Sequence, residues 1–297
     1  MKCFHPIQGY QIPGKNGDKS QVIFKDLGHG QPIEIGCGQC IGCRIKRARH
    51  WAVRMVHEAQ DHPENSFITL TYDDEHLPKN AGLEVRDWQL FLKKLRKYLA
   101  PKKIRFYMCG EYGEAEDQYN KIGRPHFHAI IFGHTFMADA ELKREQPKAY
   151  YSHTLESLWG NGIAEFGPME LGSAAYCAQY TVKKITGQQA EDHYQRLDKN
   201  TGLLVPIRPE FSTMSRRPGI GKGWYQKYNN DLDKGFVTLD GKKEGIPEFY
   251  KKIMSEEKAM GLEQIRETNL KKLKKQDRWN LEAEEQKYLE LTRNIQR

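Results

Sequence analysis

His126 and His128 stand one residue apart in GRPHFHAIIFG, the stretch from Gly123 to Gly133. The apolar residues Phe127, Ala129, Ile130, Ile131 and Phe132 predict a short buried strand. Side chains at i and i+2 of a strand share one face. The two imidazoles therefore project together, with Phe127 on the opposite face. Two imidazoles on one face suit a shared metal ion. The plainer reading is a pair of polar side chains at a half-exposed strand end. Glu111, in CGEYG, closes a second strand-like segment, 104–113. If the segments form a hairpin with a loop near 113–122, Glu111 lies near His126 across the ladder. One carboxylate with two imidazoles would serve Mg²⁺ or Mn²⁺, and imidazole matches Mn²⁺ better. Without a metal, Glu111 reads as a surface strand residue.

GSAAYCAQYTVKKITG carries a second group. A helix is predicted over 173–186, with Ser173 as its N-cap and Gly187 as its stop. Tyr176 and Tyr180 are four apart and share a face, with Lys183 and Lys184 a further turn along. Ordinary amphipathic packing accounts for such a pattern. The chemical alternative is a pair of tyrosine nucleophiles beside a cation. A free tyrosine ionises only near pH ~10, so its attack needs help. Lys183 can stabilise the phenolate or the charge building on a phosphate oxygen, and a metal can polarise the phosphate.

Cys37, Cys40 and Cys43 form a third group, CxxCxxC. This spacing is common in metal sites, and Cys3, His5 or His50 could complete it. A bacterial ferredoxin run needs a further cysteine at the position of Arg47, which favours structural zinc over iron–sulfur. Three reduced thiols around a glycine turn are the alternative. Cys109 and Cys177 sit among apolar residues and read as core.

The remaining elements must position these groups. Residues 1–43 read as loops and short strands. An amphipathic basic helix is predicted over 44–60, a strand over 66–72, a helix over 83–99 ahead of Pro101, a third helix over 138–159 and a strand near 162–166. The pattern weakens from 188 to 250, and 251–297 reads as a charged helical tail. The expected fold is α+β, an antiparallel sheet with packed helices, a Cys-rich N-terminal region and a helical C-terminal tail. The expected divisions are 1–60, the Cys-rich segment and basic helix packed on the core, then a core over 61–225 and an extension over 226–297.

The chain has 297 residues and a formal net charge of +8. Its apolar content supports a core, which excludes a disordered chain. The positive balance favours a polyanionic partner, nucleic acid first. No apolar run approaches the ~20 residues of a membrane span, and MKCFHPIQGY lacks a signal-like apolar stretch. A cytoplasmic location is expected, in which thiols stay reduced.

Taken in order, the motifs resemble those of HUH endonucleases. FITLTYDDEHLP (67–78) resembles their first motif, GRPHFHAIIFG their metal motif, and AAYCAQYTVKK the YxxxY motif of the two-tyrosine replication initiators. With CGQCIGCR and MSRRPGIGKGW (214–224), the chain is similar to initiators of small single-stranded-DNA phages, the gokushovirus-type microviruses. The likeness covers roughly 35–225 and implies a ferredoxin- or RRM-like HUH sheet. It also implies rolling-circle chemistry in the cytoplasm of a bacterial host. His126, His128 and Glu111 would hold Mg²⁺ or Mn²⁺. Tyr176 or Tyr180, aided by Lys183, would nick single-stranded origin DNA to leave a 5′-phosphotyrosine and a free 3′-hydroxyl. A host polymerase would extend that end and a host helicase would unwind, since no helicase domain is evident. Strand transfer to the second tyrosine would then close the circle.

Arg124, Lys184, Arg216, Arg217 and Lys222 are candidates for contact with the DNA backbone; a solvated loop is the alternative for 214–224. GIGKGW lacks the GxxxxGK[ST] spacing of a P-loop. A histidine-triad hydrolase would need a third alternating histidine where Ile130 stands. A relaxase or transposase of the same fold, and a non-enzymatic zinc protein that binds nucleic acid, remain as rival readings.

Overall fold

The computed structural model describes residues 3–14, 21–114, 122–185, 189–198, 201–272 and 278–295. The chain divides into two compact units, Met1–Arg47 with Leu273–Arg297, and Ala48–Lys272. In chain order the strands and helices begin with β1 (Ile7–Ile12), β2 (Gln21–Ile23), β3 (Gln31–Ile35) and α1 (Ile41–Gln60). Next come β4 (Asn65–Thr71), α2 (Val85–Leu99), β5 (Arg105–Tyr112), β6 (Pro125–Phe132), β7 (Ala140–Arg144) and β8 (Ala149–Ser152). Then follow α3 (His153–Trp159), β9 (Ala164–Pro168), α4 (Leu171–Lys183), α5 (Gln189–His193), β10 (Gln195–Leu197), β11 (Leu204–Pro206) and β12 (Phe211–Met214). The last are α6 (Lys222–Tyr228), β13 (Val237–Leu239), β14 (Lys242–Glu244), α7 (Glu248–Ile253), α8 (Glu256–Lys272) and α9 (Arg278–Ile295).

The smaller unit contains an antiparallel three-stranded sheet in the order β2-β1-β3. Most of its strand residues are exposed or half-buried.

The larger unit is built on a seven-stranded sheet in the order β12-β5-β6-β4-β9-β8-β7. Every neighbouring pair is antiparallel. The fold is thus α+β, as the sequence predicts. Alternation along the strands sends residues to two cores. Phe106, Met108, Phe127, Ala129 and Ile131 meet Trp88, Phe91 and Leu95 of α2 and Leu155 and Trp159 of α3. Tyr107, Cys109, Ile130 and Phe132 meet Ala48, Ala52 and Met55 of α1 and Ala174, Cys177 and Ala178 of α4. Cys109 and Cys177 are core residues, as expected. β6 is therefore buried on both faces, which explains its near-continuous apolar run. Each such side chain contributes roughly 1.5–3 kcal/mol on burial. The two histidines sit at the strand's beginning, where this packing ends.

A third cluster joins Val53 of α1 to Trp224, Leu232, Val237, Ile246 and Tyr250. Beside it lies a buried polar knot. Glu58 accepts hydrogen bonds from Arg105 Nε and from the Gly221 N–H (2.6 Å), and pairs with His62 at 3.4 Å. Burial opposes ionisation of Glu58, but His62, the Gly221 N–H and Arg105 outweigh it and lower its pKa. Gly221 has φ of +78°, and a Cβ there would strike Tyr250 Oη. A Cβ at Gly219 would meet the Phe249 ring, and one at Gly223 would meet Asp61. The glycines of GIGKGW thus permit close packing.

Two expectations are corrected. The helix predicted over 138–159 is a β-hairpin, β7–β8, followed by the single short helix α3. Tyr150 and Tyr151 pair with Phe166 and Glu165 of β9, so sheet pairing overrides the local helical spacing. Ser173 does not cap α4, because the helix has already begun at Leu171. Its hydroxyl accepts from the Glu170 N–H at 2.8 Å and lies 2.9 Å from the Glu170 carbonyl. Gly187, expected to end the helix, lies outside the described residues. The tail contains α8 and α9, in keeping with its helical reading.

Candidate active site

β5 and β6 form the expected hairpin. Their register sets Glu111 opposite His126 and Cys109 opposite His128. β4 pairs along the other edge of β6, with Thr71 opposite His126 and Thr69 opposite His128. One ligand atom from each of Glu111, His126 and His128 can be chosen so that all lie within 4.8 Å of one another. Glu111 is 3% exposed and His128 6%, while His126 is half-buried. A buried carboxylate against two imidazoles is costly without a compensating cation. The donor set of one oxygen and two nitrogens fits a divalent ion of the Mn²⁺ kind, and Mg²⁺ less closely.

The imidazoles are held in orientation. His126 Nδ1 lies 3.1 Å from the Arg124 carbonyl oxygen. A carbonyl can only accept, so this nitrogen carries the proton and Nε2 of the neutral ring keeps its lone pair. His128 Nδ1 lies 3.0 Å from Thr69 Oγ1. The Phe67 ring lies nearly parallel to His128, with centroids 5.6 Å apart and planes inclined by 9°. Cys109 donates its thiol proton to Glu111 Oε1 at 3.4 Å.

Tyr176 projects from α4 toward the same point. Its hydroxyl is 3.4 Å from His128 Nε2, and the two rings meet edge-on with centroids 4.8 Å apart. Half-exposure gives the hydroxyl access to solvent. Burial first, and the Glu111 carboxylate second, raise its pKa above the ordinary tyrosine value. A cleft of about 990 Å³ opens here. Phe67, Thr69, His128 and Tyr176 line it, and the β7–β8 tip from Arg144 to Lys148 forms its rim. Tyr180 lies four residues further along α4. The side chains of Tyr180 and Lys183 lie outside the described residues.

The other basic candidates are dispersed. Arg124 donates to the Tyr72 carbonyl at 3.0 Å and pairs with Asp74. Arg216 and Arg217 are exposed in the loop after β12, Lys222 opens α6, and Lys184 is half-buried just past α4. Sequence reasoning missed Thr69 and Phe67 as supports of His128. Their alternation along β4 was visible, but their register against β6 is a long-range property.

A second cluster belongs to the smaller unit. The Sγ atoms of Cys3, Cys37, Cys40 and Cys43 all lie within 4.8 Å of one another. Of the three candidates for a fourth ligand, Cys3 is the one in this group. His5 instead meets Glu285 at 2.9 Å, and His50 Nδ1 lies 3.5 Å from the Glu248 N–H.

Comparison with known proteins places this geometry in context. The family model for the phage replication-associated protein ORF2 matches residues 65–185, from β4 through α4. Replication-associated protein VP4 of Bdellovibrio phage phiMH2K is 34% identical over 264 residues, 84% of this chain and 76% of that protein. The chain belongs to the phage replication-associated protein family. Replication-associated protein ORF2 of Spiroplasma virus 4 is 30% identical, over 84% of this chain and 77% of its own length. Replication-associated protein ORF4 of Chlamydia phage 1 is also 30% identical, over 74% of this chain and 53% of its own length. No solved structure matches the chain significantly. Among the described residues, no helix is long and apolar enough to cross a membrane.

Proposed function

We propose that this member of the family initiates rolling-circle replication by nicking single-stranded origin DNA, with a tyrosine of α4 as nucleophile. The observation that carries the proposal is the approach of the Tyr176 hydroxyl to His128 Nε2, 3.4 Å away, beside the Glu111–His126 pair. Transesterification needs a nucleophile, a means of stabilising phosphate charge, and an open path for the strand. Tyr176, the Glu111/His126/His128 group and the adjoining cleft supply one each.

A divalent cation held by Glu111, His126 and His128 would polarise a non-bridging phosphate oxygen and offset the carboxylate charge. The half-exposed Tyr176 hydroxyl attacks phosphorus. The Oη–P bond forms, the P–O3′ bond breaks, and the 3′ oxygen ends with a proton while the tyrosine loses one. One phosphodiester replaces another, so rejoining needs no ATP. The Glu111 carboxylate and burial keep Tyr176 neutral at rest, which limits idle attack. Thr69 and the Arg124 carbonyl hold the imidazoles in place. Tyr180, four residues along α4, is the second nucleophile, and Lys183 steadies charge on the phosphate. Host enzymes supply unwinding and polymerisation, and the reaction takes place in the cytoplasm of the bacterial host.

A relaxase or transposase of the same architecture would use similar parts, but the Tyr176/Tyr180 pair favours the two-nucleophile initiator. The test is cleavage of labelled single-stranded origin DNA with Mn²⁺, with and without chelator. Cleavage that requires the metal and disappears in His126→Ala supports the reading. Tight binding without cleavage, across origin fragments and metals, would leave a nucleic-acid-binding protein instead.

A further inference from the structure

We infer that Cys3, Cys37, Cys40 and Cys43 hold one structural zinc ion, distinct in place and role from the nicking centre. The first support is metric. Tetrahedral zinc with Zn–S bonds of about 2.3 Å sets its sulfurs about 3.8 Å apart. Cys3 and Cys40 Sγ are 3.8 Å apart. A disulfide needs about 2.05 Å. An iron–sulfur cluster interposes several iron and sulfide atoms and spreads its cysteines wider than a single ion does. The spacing therefore fits one ion shared by four sulfurs.

The second support is the direction of the backbone N–H groups. Phe4 N points at Cys40 Sγ at 3.4 Å, and Cys37 N at Cys3 Sγ at 3.2 Å. Gln39 N and Cys40 N both point at Cys37 Sγ, at 3.4 and 3.3 Å. Neutral thiols are weak acceptors, whereas thiolates attract such donors. Two of these donors arise in the Cys37–Cys40 turn, where Gly38 takes a φ of +75°. The turn lets Cys37 and Cys40 face one point.

The third support is the need for a staple. Among the described residues, every buried apolar cluster lies between Ala48 and Leu262. The β2-β1-β3 sheet of the smaller unit has none of its own. Small sheets without a core depend on a disulfide, a metal or a partner. An ion joining Cys3 to Cys37, Cys40 and Cys43 closes the chain around that sheet. Each ligating thiol gives its proton to solvent, and no electron is transferred.

The test is the metal content of the full chain, purified without added metal or chelator. About one zinc per chain is expected. Addition of Co²⁺ to the metal-stripped chain should give the strong sulfur-to-cobalt charge-transfer band of a tetrathiolate. The His126→Ala/His128→Ala double variant should keep that band, which separates this site from the nicking reading. Cys3→Ser should lose or weaken the band. If Cys3→Ser is insoluble, Cys43→His retains a ligand and should keep zinc while shifting the band. A soluble, folded chain with neither stoichiometric zinc nor the cobalt band would overturn the inference. So would a band that Cys43→His leaves unmoved.

Discussion

Glu111 and His126 stand directly opposite one another in the β5–β6 ladder. That pairing brings a carboxylate only 3% exposed against an imidazole. Glu111→Gln keeps the shape and removes the charge. The expected result is a nicking rate lower by on the order of 10³-fold, from several kcal/mol of lost phosphate stabilisation. Thermal stability of the metal-free chain should stay level or rise, because a buried charge has been neutralised. Single-turnover cleavage and thermal unfolding of one preparation read both effects. Undiminished nicking would remove Glu111 from the site.

Thr69 is a positioning residue; it fixes His128 through Nδ1 at 3.0 Å. Thr69→Val preserves volume and deletes the hydroxyl. Supports of this kind change metal affinity or activity by roughly 10–100-fold. The Mn²⁺ concentration for half-maximal nicking should rise by about that factor, with less change at saturating metal. An unchanged metal titration would show that the hydroxyl is passive.

Glu58 predicts a pH dependence of stability. Its folded pKa lies below the ordinary glutamate value. A depressed carboxylate stabilises the fold above its unfolded pKa, and that contribution fades as pH falls through the folded pKa. Glu58→Gln should therefore be destabilising at neutral pH, by about 3–5 kcal/mol for a broken buried pair. The gap from wild type should narrow in acid, below roughly pH 4. Denaturant unfolding at two pH values measures it, and a gap independent of pH would contradict the assignment.

Gly221→Ala tests whether GIGKGW is a packing element. The residue has a positive φ and no room for a Cβ beside Tyr250. A loss of at least about 1–3 kcal/mol of stability is expected. Nicking per folded molecule should be little changed, because the glycine lies outside the proposed centre. Preserved stability with selective loss of DNA binding would favour a phosphate-contact role instead.

The parts of the site carried by local period were legible in the sequence. His126 and His128 follow from alternation on one strand, and Tyr176 from its place on a predicted helix. Glu111 followed from a single hairpin whose strands are close in sequence. Thr69 did not, because β4 meets β6 only after α2 and β5 have intervened. The β7–β8 hairpin was likewise hidden. Its spacing imitates a helix, and its pairing with β9 is set by tertiary contacts. Cys3 could not be chosen over His5 or His50, because nothing local brings residue 3 to residues 37–43.

A tyrosine nucleophile leaves a covalent bond to DNA, so the most direct measurement is the protein–DNA adduct itself. Origin DNA labelled on the 3′ side of the nick would be incubated with Mn²⁺ and wild-type, Tyr176→Phe, Tyr180→Phe or doubly substituted protein, then run under denaturing conditions. The expected result is a labelled band at the mass of protein plus DNA, absent with chelator and absent from the double variant. Cleavage without any such band, or an adduct that survives in the double variant, would contradict a tyrosine nucleophile on α4.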